Sequence, residues 1–315
     1  MATLVTGASG CIGAWVLHHL VKRGEPTIAF DITRGGHRID QLLTIREQQN
    51  ITFVQGDISD FATVKSVFDQ HPIDHVIHLA ALQVPLCRAD PVRGAQVNVV
   101  GTVNIFEAAR RKGLSHIAYA SSIAVFGAPE DYEEAALRDD AAPHPRTLYG
   151  VYKQANEATA RVYFYEHQMS SIGLRPYTVY GVGRDQGLTS DPTKAMLHAV
   201  AGKPYHINFG GRLQLQLASD TALQFIEAAT HPLDGPYVFN MGGQVVSVEE
   251  IVTIIRHNRP QAQITHSDQP LPFPEHLDDS GLRQHLRVYQ TPLDVGIHQT
   301  MSLFADLIQR GQLTV

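Results

Sequence analysis

The chain has 315 residues, 43% hydrophobic and 18% charged, a composition that fits one large globular domain or two smaller ones. A net charge of −6 without a basic run argues against nucleic acid or an anionic membrane as partner. No apolar run reaches the roughly 20 residues of a membrane span, no signal peptide is expected, and two cysteines, Cys11 and Cys87, fit a reducing cytoplasm better than a disulfide framework.

The first thirteen residues, MATLVTGASGCIG, organise the rest of the chain. Ala2 to Thr6 is a short β-branched run of the kind that forms a buried strand. Gly7, Gly10 and Gly13 come next at a spacing of three, and Ala14 to Val21 reads as an amphipathic helix. Strand, glycine turn and helix in that order predict a dinucleotide site. Absent side chains let the backbone approach a pyrophosphate, and the free N–H groups of the helix face its negative charge.

Thr27 to Asp31 is the second predicted strand. An acid at its end accepts hydrogen bonds from the ribose hydroxyls of NAD and repels the 2′-phosphate of NADP, although Arg34 lies close by. His37 to Gln49 reads as helical. Ile51 to Gln55 is the third strand and leads to Asp57, which could accept from an adenine amino group while Ile58 packs on the ring. Asp60 caps a helix to about His71. Asp74 to His78 is the fourth strand, with small residues at Leu79-Ala80-Ala81 to pass under a cofactor. His75 and His78 flank that strand on opposite faces, so no metal site is expected. Val92 to Lys112 is a long helix with Asn98 near its start, and Ser115 to Ala120 is the fifth strand, ending at Ser121-Ser122. A loop from about Pro129 to Arg146 precedes the helix that carries Tyr149 and Lys153 and runs to about His167.

Strands alternating with helices at this rhythm imply an α/β fold with a parallel, doubly wound sheet, whose ligands sit at the carboxyl ends of the strands. Gly7, Asp31, Asp57 and Ala80 all fall at such ends. Tyr149 and Lys153 are four apart and share a helix face. An ammonium beside a phenol favours the phenolate, which then serves as a base. Ser122 is placed to hold the reacting oxygen. Tyr152 competes by proximity but has no lysine at that spacing.

These motifs resemble the extended short-chain dehydrogenases/reductases of the NAD-dependent epimerase/dehydratase kind. They are TGASGCIG at the start, GDISD at 56–60, HLAA at 78–81, NVVGTVNIFEAAR at 98–110, YASSIAVFG at 119–127, YGVYK at 149–153 and LRPYTVYG at 174–181. The resemblance implies a Rossmann-type NAD-binding domain over 1–176, with returning segments at about 212–246. It implies a smaller substrate-binding domain over 177–211 and 247–315. By the same resemblance Ser122, Tyr149 and Lys153 are the catalytic set. NAD is lined by Gly7, Gly10, Cys11, Ile12, Gly13, Asp31, Ile32, Asp57, Ile58, Leu79, Ala80, Ala81 and Asn98, together with Tyr149, Lys153, Pro176 and Val179. Gln83, Ser121, Ser122, Tyr149, Thr178, Lys194 and Arg212 face a small sugar-like substrate. A homodimer through helices at about 94–111 and 149–167 is a further implication.

The pattern also departs from the family's. Ile123-Ala124 stands where dehydratases carry an Asp-Glu pair, which disfavours dehydration. Thr178 stands where nucleotide-sugar enzymes often have Asn. Leu213 occupies the place of an Arg that faces the nucleotide diphosphate, with Arg212 one residue off and turned to the other face of a strand. Lys194, Arg212 and Arg287 are the candidates to meet an anionic substrate. Ser219 is read as a helix cap, Ser247 with Glu250 as a capping box, and Pro292 to Arg310 as the last helix. PRTLYGVYK and SSIAVFG also resemble epimerase-like L-threonine dehydrogenases. The expected activity is therefore an NAD-dependent sugar epimerase. The alternatives are a dehydrogenase that releases NADH, and an NAD-sensing protein without turnover.

Overall fold

A computed structural model describes residues 2–315. Its strands are β1 (Ala2–Thr6), β2 (Thr27–Asp31), β3 (Ile51–Gln55), β4 (Ile73–His78), β5 (His116–Ala120), β6 (Ser170–Arg175), β7 (Thr178–Tyr180), β8 (Tyr205–Ile207), β9 (Arg212–Leu217), β10 (Pro236–Asn240), β11 (Gln244–Ser247) and β12 (Ile264–His266). Seven of them form one sheet in the order β10-β6-β5-β4-β1-β2-β3. Every neighbouring pair in it is parallel. The strand order reverses between β1 and β4, which opens a crevice at the carboxyl ends where a dinucleotide belongs in such sheets.

A parallel sheet must be covered on both faces, so its strands read as continuous apolar runs. Helices Cys11–Lys22 and Ala218–Thr230 cover one face, with Val16, Leu17, Leu20, Phe225 and Ile226 inward. Helices Phe61–Gln70, Gly101–Lys112 and Leu148–His167 cover the other, through Val64, Phe68, Ile105, Phe106 and Ala160. Leu17 and Leu20 are fully buried, and burial of each contributes about 1.5–3 kcal/mol. A second lobe is built around the three-stranded sheet β11-β9-β7 and the pair β12-β8. Its separate apolar core gathers Met196, Leu215, Ile251, Ile297 and Phe304.

Local differences from the sequence expectations have physical reasons. The segment 37–49 is two helices, His37–Leu42 and Ile45–Gln48, because Thr44 and Glu47 form a capping box that restarts the chain. The helix expected over 92–112 contains a π-helical turn, Gln96–Val100. Ser219 lies inside a helix that starts at Ala218, and it hydrogen-bonds the His19 ring at 2.8 Å instead of capping. The capping box of Ser247 with Glu250 is present, and the last helix is Leu293–Gln309. No helix among the described residues is long and apolar enough to cross a membrane, and none of their His, Cys, Asp and Glu side chains cluster as a metal site.

His78, at the end of β4, is buried between the hydroxyls of Thr6 (2.7 Å) and Thr102 (3.0 Å). Burial, helped by the Lys153 charge, depresses its pKa from 6.5 to about 3. In the folded protein the ring stays neutral, whereas in the unfolded chain it takes up a proton once the pH drops below 6.5. Stability is therefore fully retained above that value and falls as the pH declines towards about 3. At pH 5 this group alone is expected to remove about 2 kcal/mol relative to pH 7. Urea midpoints at the two pH values, compared with those of His78→Gln, check it: the variant should lose less stability on acidification than the unaltered chain.

Candidate active site

The glycine turn is tight in a way that only glycine permits. Gly7 has φ +68°, and a Cβ there would lie 2.6 Å from the Ala80 amide nitrogen. A Cβ on Gly13 would meet the Gly7 carbonyl at 2.3 Å. The turn therefore presses against the Leu79–Ala81 segment after β4 and leads directly into the helix Cys11–Lys22, whose first residues line the crevice with the free amide groups of a helix N-terminus. Asp31 ends β2 with its carboxylate fixed by the amide of Ser9 at 2.8 Å and that of Ile32 at 2.7 Å. Asp57 holds Arg93 at 2.6 Å and the Ser59 hydroxyl at 2.7 Å. Against the upward pull of burial, those hydrogen bonds keep its carboxyl below the ordinary range.

One cleft of about 790 Å³ runs along these strand ends. Gly7, Gly10, Cys11, Ile12 and Gly13 line it at one wall, followed by Asp31, Ile32, Asp57 and Ile58. Leu79, Ala80, Ala81 and Gln83 form its floor, and Ser121, Ser122, Tyr149, Lys153, Pro176, Thr178, Val179 and Lys194 close the far side. Three expected residues fall outside it. Asn98 is buried and clamps the backbone of Leu82, accepting from its amide at 2.7 Å and donating to its carbonyl at 2.9 Å. Asn98 thus supports the floor rather than lining the cleft. Arg212 is exposed at the start of β9, with Glu275 4.0 Å away, while Leu213 is buried in the core of the second lobe. Strand alternation turns Arg212 to solvent. Arg287 packs over Tyr289 and does not line the cleft either.

Thr147 caps the helix that carries Tyr149 and Lys153, its hydroxyl accepting from the Gly150 amide at 3.1 Å. The Lys153 ammonium lies 5.6 Å from the Tyr149 ring centroid and donates to the Ala120 carbonyl at 2.6 Å. Burial lowers that ammonium to about 8. Burial raises the pKa of the Tyr149 phenol, while the neighbouring Ser122 and the Arg184 charge pull it back down. Tyr152 points away and donates to the Pro91 carbonyl at 2.9 Å. Burial pushes the Cys11 thiol up to about 11, so it stands in the cleft as an uncharged group.

Ser121 does not face the cleft freely. Its hydroxyl donates to Glu157 at 2.5 Å, and Glu157 in turn forms a bidentate pair with Arg175 at 2.8 Å. Of the serine pair, Ser122 is the one left beside Tyr149. Neither the Glu157–Arg175 pair nor Arg184 figures among the residues expected from sequence. Arg184 follows directly on the GVG turn after β7 and had only its position in that variable segment as a signal.

The sequence profile of the NAD dependent epimerase/dehydratase family matches residues 3–242. The chain belongs to that family. It is 30% identical over 288 residues to UDP-glucose 4-epimerase of Mycolicibacterium smegmatis, covering 89% of this chain and 88% of that protein. Across the first curated relatives it matches, the chain spans between 44% and 63% of their length. Among solved structures, the UDP-glucose 4-epimerase of Thermus thermophilus in complex with NAD superposes with a TM-score of 0.81 at 24% identity, over 96% of this chain and 99% of that one. The GalE-like L-threonine dehydrogenase from Cupriavidus necator gives 0.83 at 24% identity, over 96% and 99%. At that identity both show the fold alone. Family membership makes NAD the cofactor, and the side-chain-free cradle at Gly7 and Gly13 fits a dinucleotide.

Bound in the cleft, NAD supplies a hydride acceptor whose positive ring also favours a nearby phenolate. On this chain's side the cleft offers a phenol, a hydroxyl and a buried ammonium, at Tyr149, Ser122 and Lys153, a set of groups suited to taking a proton from a substrate hydroxyl.

Proposed function

We propose that this chain is an NAD-dependent enzyme that removes hydride from a secondary alcohol of a sugar-like substrate and returns it to the opposite face, as a sugar epimerase does. The observation that carries the reading is the meeting of Tyr149, Ser122 and Lys153 across one cleft from the glycine turn. The family and its epimerase members support it. Ile123 and Ala124 follow Ser122, and neither can act as the acid or base that a dehydration needs. In this reading residues 1–176, with about 212–246, bind NAD, and 177–211 with 247–315 bind the substrate. We place the enzyme in a reducing cytoplasm, where Cys11 and Cys87 stay free.

A second reading, a dehydrogenase that releases NADH, is favoured by the burial of Leu213 and the outward position of Arg212. A nucleotide diphosphate needs charged partners, and that strand offers the cleft none. Absorbance at 340 nm, with chromatography of products, separates the two readings on UDP-sugars, free sugars, sugar acids and L-threonine. A steady rise assigns the dehydrogenase. A new stereoisomer without a rise assigns the epimerase.

We also propose a homodimer through the helices at about 94–111 and 149–167. Val100, Val103, Val151, Val162 and Tyr165 are exposed on them, Tyr165 at 70%. Such an apolar face is characteristic of an interface. Light scattering should read twice the 34.7 kDa chain mass, and the double variant Val162→Glu/Tyr165→Glu should read a monomer. A native monomer overturns this assembly.

A further inference from the structure

Five cationic side chains line the cleft: Arg38, Arg93, Lys153, Arg184 and Lys194. Three are committed. Arg38 pairs with Asp185 at 2.5 Å, Arg93 with Asp57 at 2.6 Å, and Lys153 with the Ala120 carbonyl at 2.6 Å. Among the described residues, Arg184 and Lys194 have no acidic partner. Arg184 donates once, from Nη2 to the Thr189 hydroxyl at 3.2 Å. Its Nε is buried without a partner.

The placement of this guanidinium is built into the backbone. Gly187 has φ +103°, and a Cβ there would lie 2.5 Å from Gln83 Oε1 and 3.0 Å from Arg184 Nη2. Only a glycine lets the loop pass between those two polar groups. Arg184 lines the same cleft as Tyr149, and its charge acts on the phenol. A buried, unpaired donor is unfavourable until an acceptor reaches it. The planar fork of an arginine suits a carboxylate better than any neutral hydroxyl.

We propose that the substrate carries a carboxylate close to the carbinol that is oxidised, and that Arg184 is the residue that seats it. The proposal rests on Tyr149 as the base, because Tyr149 and Arg184 share one cleft, where a single small substrate can reach both. It goes beyond the expectation that Lys194, Arg212 or Arg287 meets an anion: two of those three lie outside the cleft. The carboxylate has two sources, a free hydroxy acid or the uronate of a sugar nucleotide. The competing acceptor is the dinucleotide's own diphosphate, since the Arg184 charge also reaches Cys11 in the glycine turn.

Calorimetric titration of the NAD-loaded protein with matched pairs tests the proposal. The pairs are D-erythronate and erythritol, D-gluconate and D-glucitol, D-glucuronate and D-glucose, and UDP-glucuronate and UDP-glucose. At least one acid should bind at least about tenfold more tightly than its neutral partner. Arg184→Gln should erase that preference, and Arg184→Lys should keep part of it. Preference confined to UDP-glucuronate assigns the uronate source, and preference among the free acids assigns the hydroxy acid. The proposal is overturned if no acid exceeds its partner, if the preference survives Arg184→Gln, or if that variant weakens NAD binding alone. Tyr149→Phe keeps the binding preference, so a base reading that fails in turnover is told apart from a carboxylate reading that fails in binding.

Discussion

Tyr149→Phe is expected to lower turnover at least about 100-fold, the scale of a lost general base, with little change in stability or NAD affinity. The substitution removes one oxygen. The ring remains in place beside the Lys153 ammonium, which lies 5.6 Å from its centroid, and Lys153 keeps its bond to the Ala120 carbonyl. What disappears is the hydroxyl that lines the cleft with Ser122. Without it the substrate proton has no acceptor, because Tyr152 is turned to Pro91 and Ser122 is a far weaker base at neutral pH. The measurement is kcat at saturating substrate, with far-ultraviolet dichroism and NAD titration as controls for fold and cofactor. A loss below tenfold would remove Tyr149 from the role of base.

The second large effect is on stability. Glu157 and Arg175 are almost completely buried, with side chains 4% and 6% exposed. Their pair ties the helix Leu148–His167 to the end of β6. Arg175 goes on to the Asp139 carbonyl at 2.8 Å and the Asn240 side chain at 3.2 Å, at the end of β10. Glu157→Leu leaves a guanidinium buried without its counter-charge and takes the acceptor from Ser121. The expected loss is about 3–5 kcal/mol, read as a shift of the urea midpoint. Glu157→Leu/Arg175→Met should recover most of that loss, because it leaves no charge stranded. If the double variant is no more stable than the single one, the lost stability belongs to packing and not to the uncompensated charge.

Much of this architecture could be read from local pattern. The first strands of the large sheet, such as Ala2–Thr6 and Thr27–Asp31, are short runs rich in apolar and β-branched residues, and the glycine turn and Tyr149–Lys153 spacing are fixed within a few residues of chain. Such features need no tertiary information. The parts that could not be read depend on segments distant in sequence. Glu157 and Arg175 are 18 positions apart and look like a surface helix residue and a strand end until β6 is laid beside the helix. Arg184 looks like any loop arginine until the Gly187 turn folds it back towards Gln83. Arg212 and Leu213 show how a single position decides the matter. Which of them faces a ligand depends on the register of β9 against β7 and β11, and that register buries the leucine. Asn98 has the amide a cofactor contact needs, but the winding of its own helix turns it under the floor.

That winding has a mechanical consequence. The turn Gln96–Val100 spaces its hydrogen bonds one residue wider than an α-helix does, which changes the rotational phase of the helix Gly101–Lys112 relative to the segment before it. Two residues apart on this turn, Asn98 grips the Leu82 backbone while Val100 stands exposed outside. Deleting a single residue here is expected to rewind the turn to an α-helix and shift the phase of Asn98 relative to the helix Gly101–Lys112. The Leu82 amide donates to Asn98 at 2.7 Å, so its protection against hydrogen exchange is expected to gauge how firmly this turn holds the segment after β4.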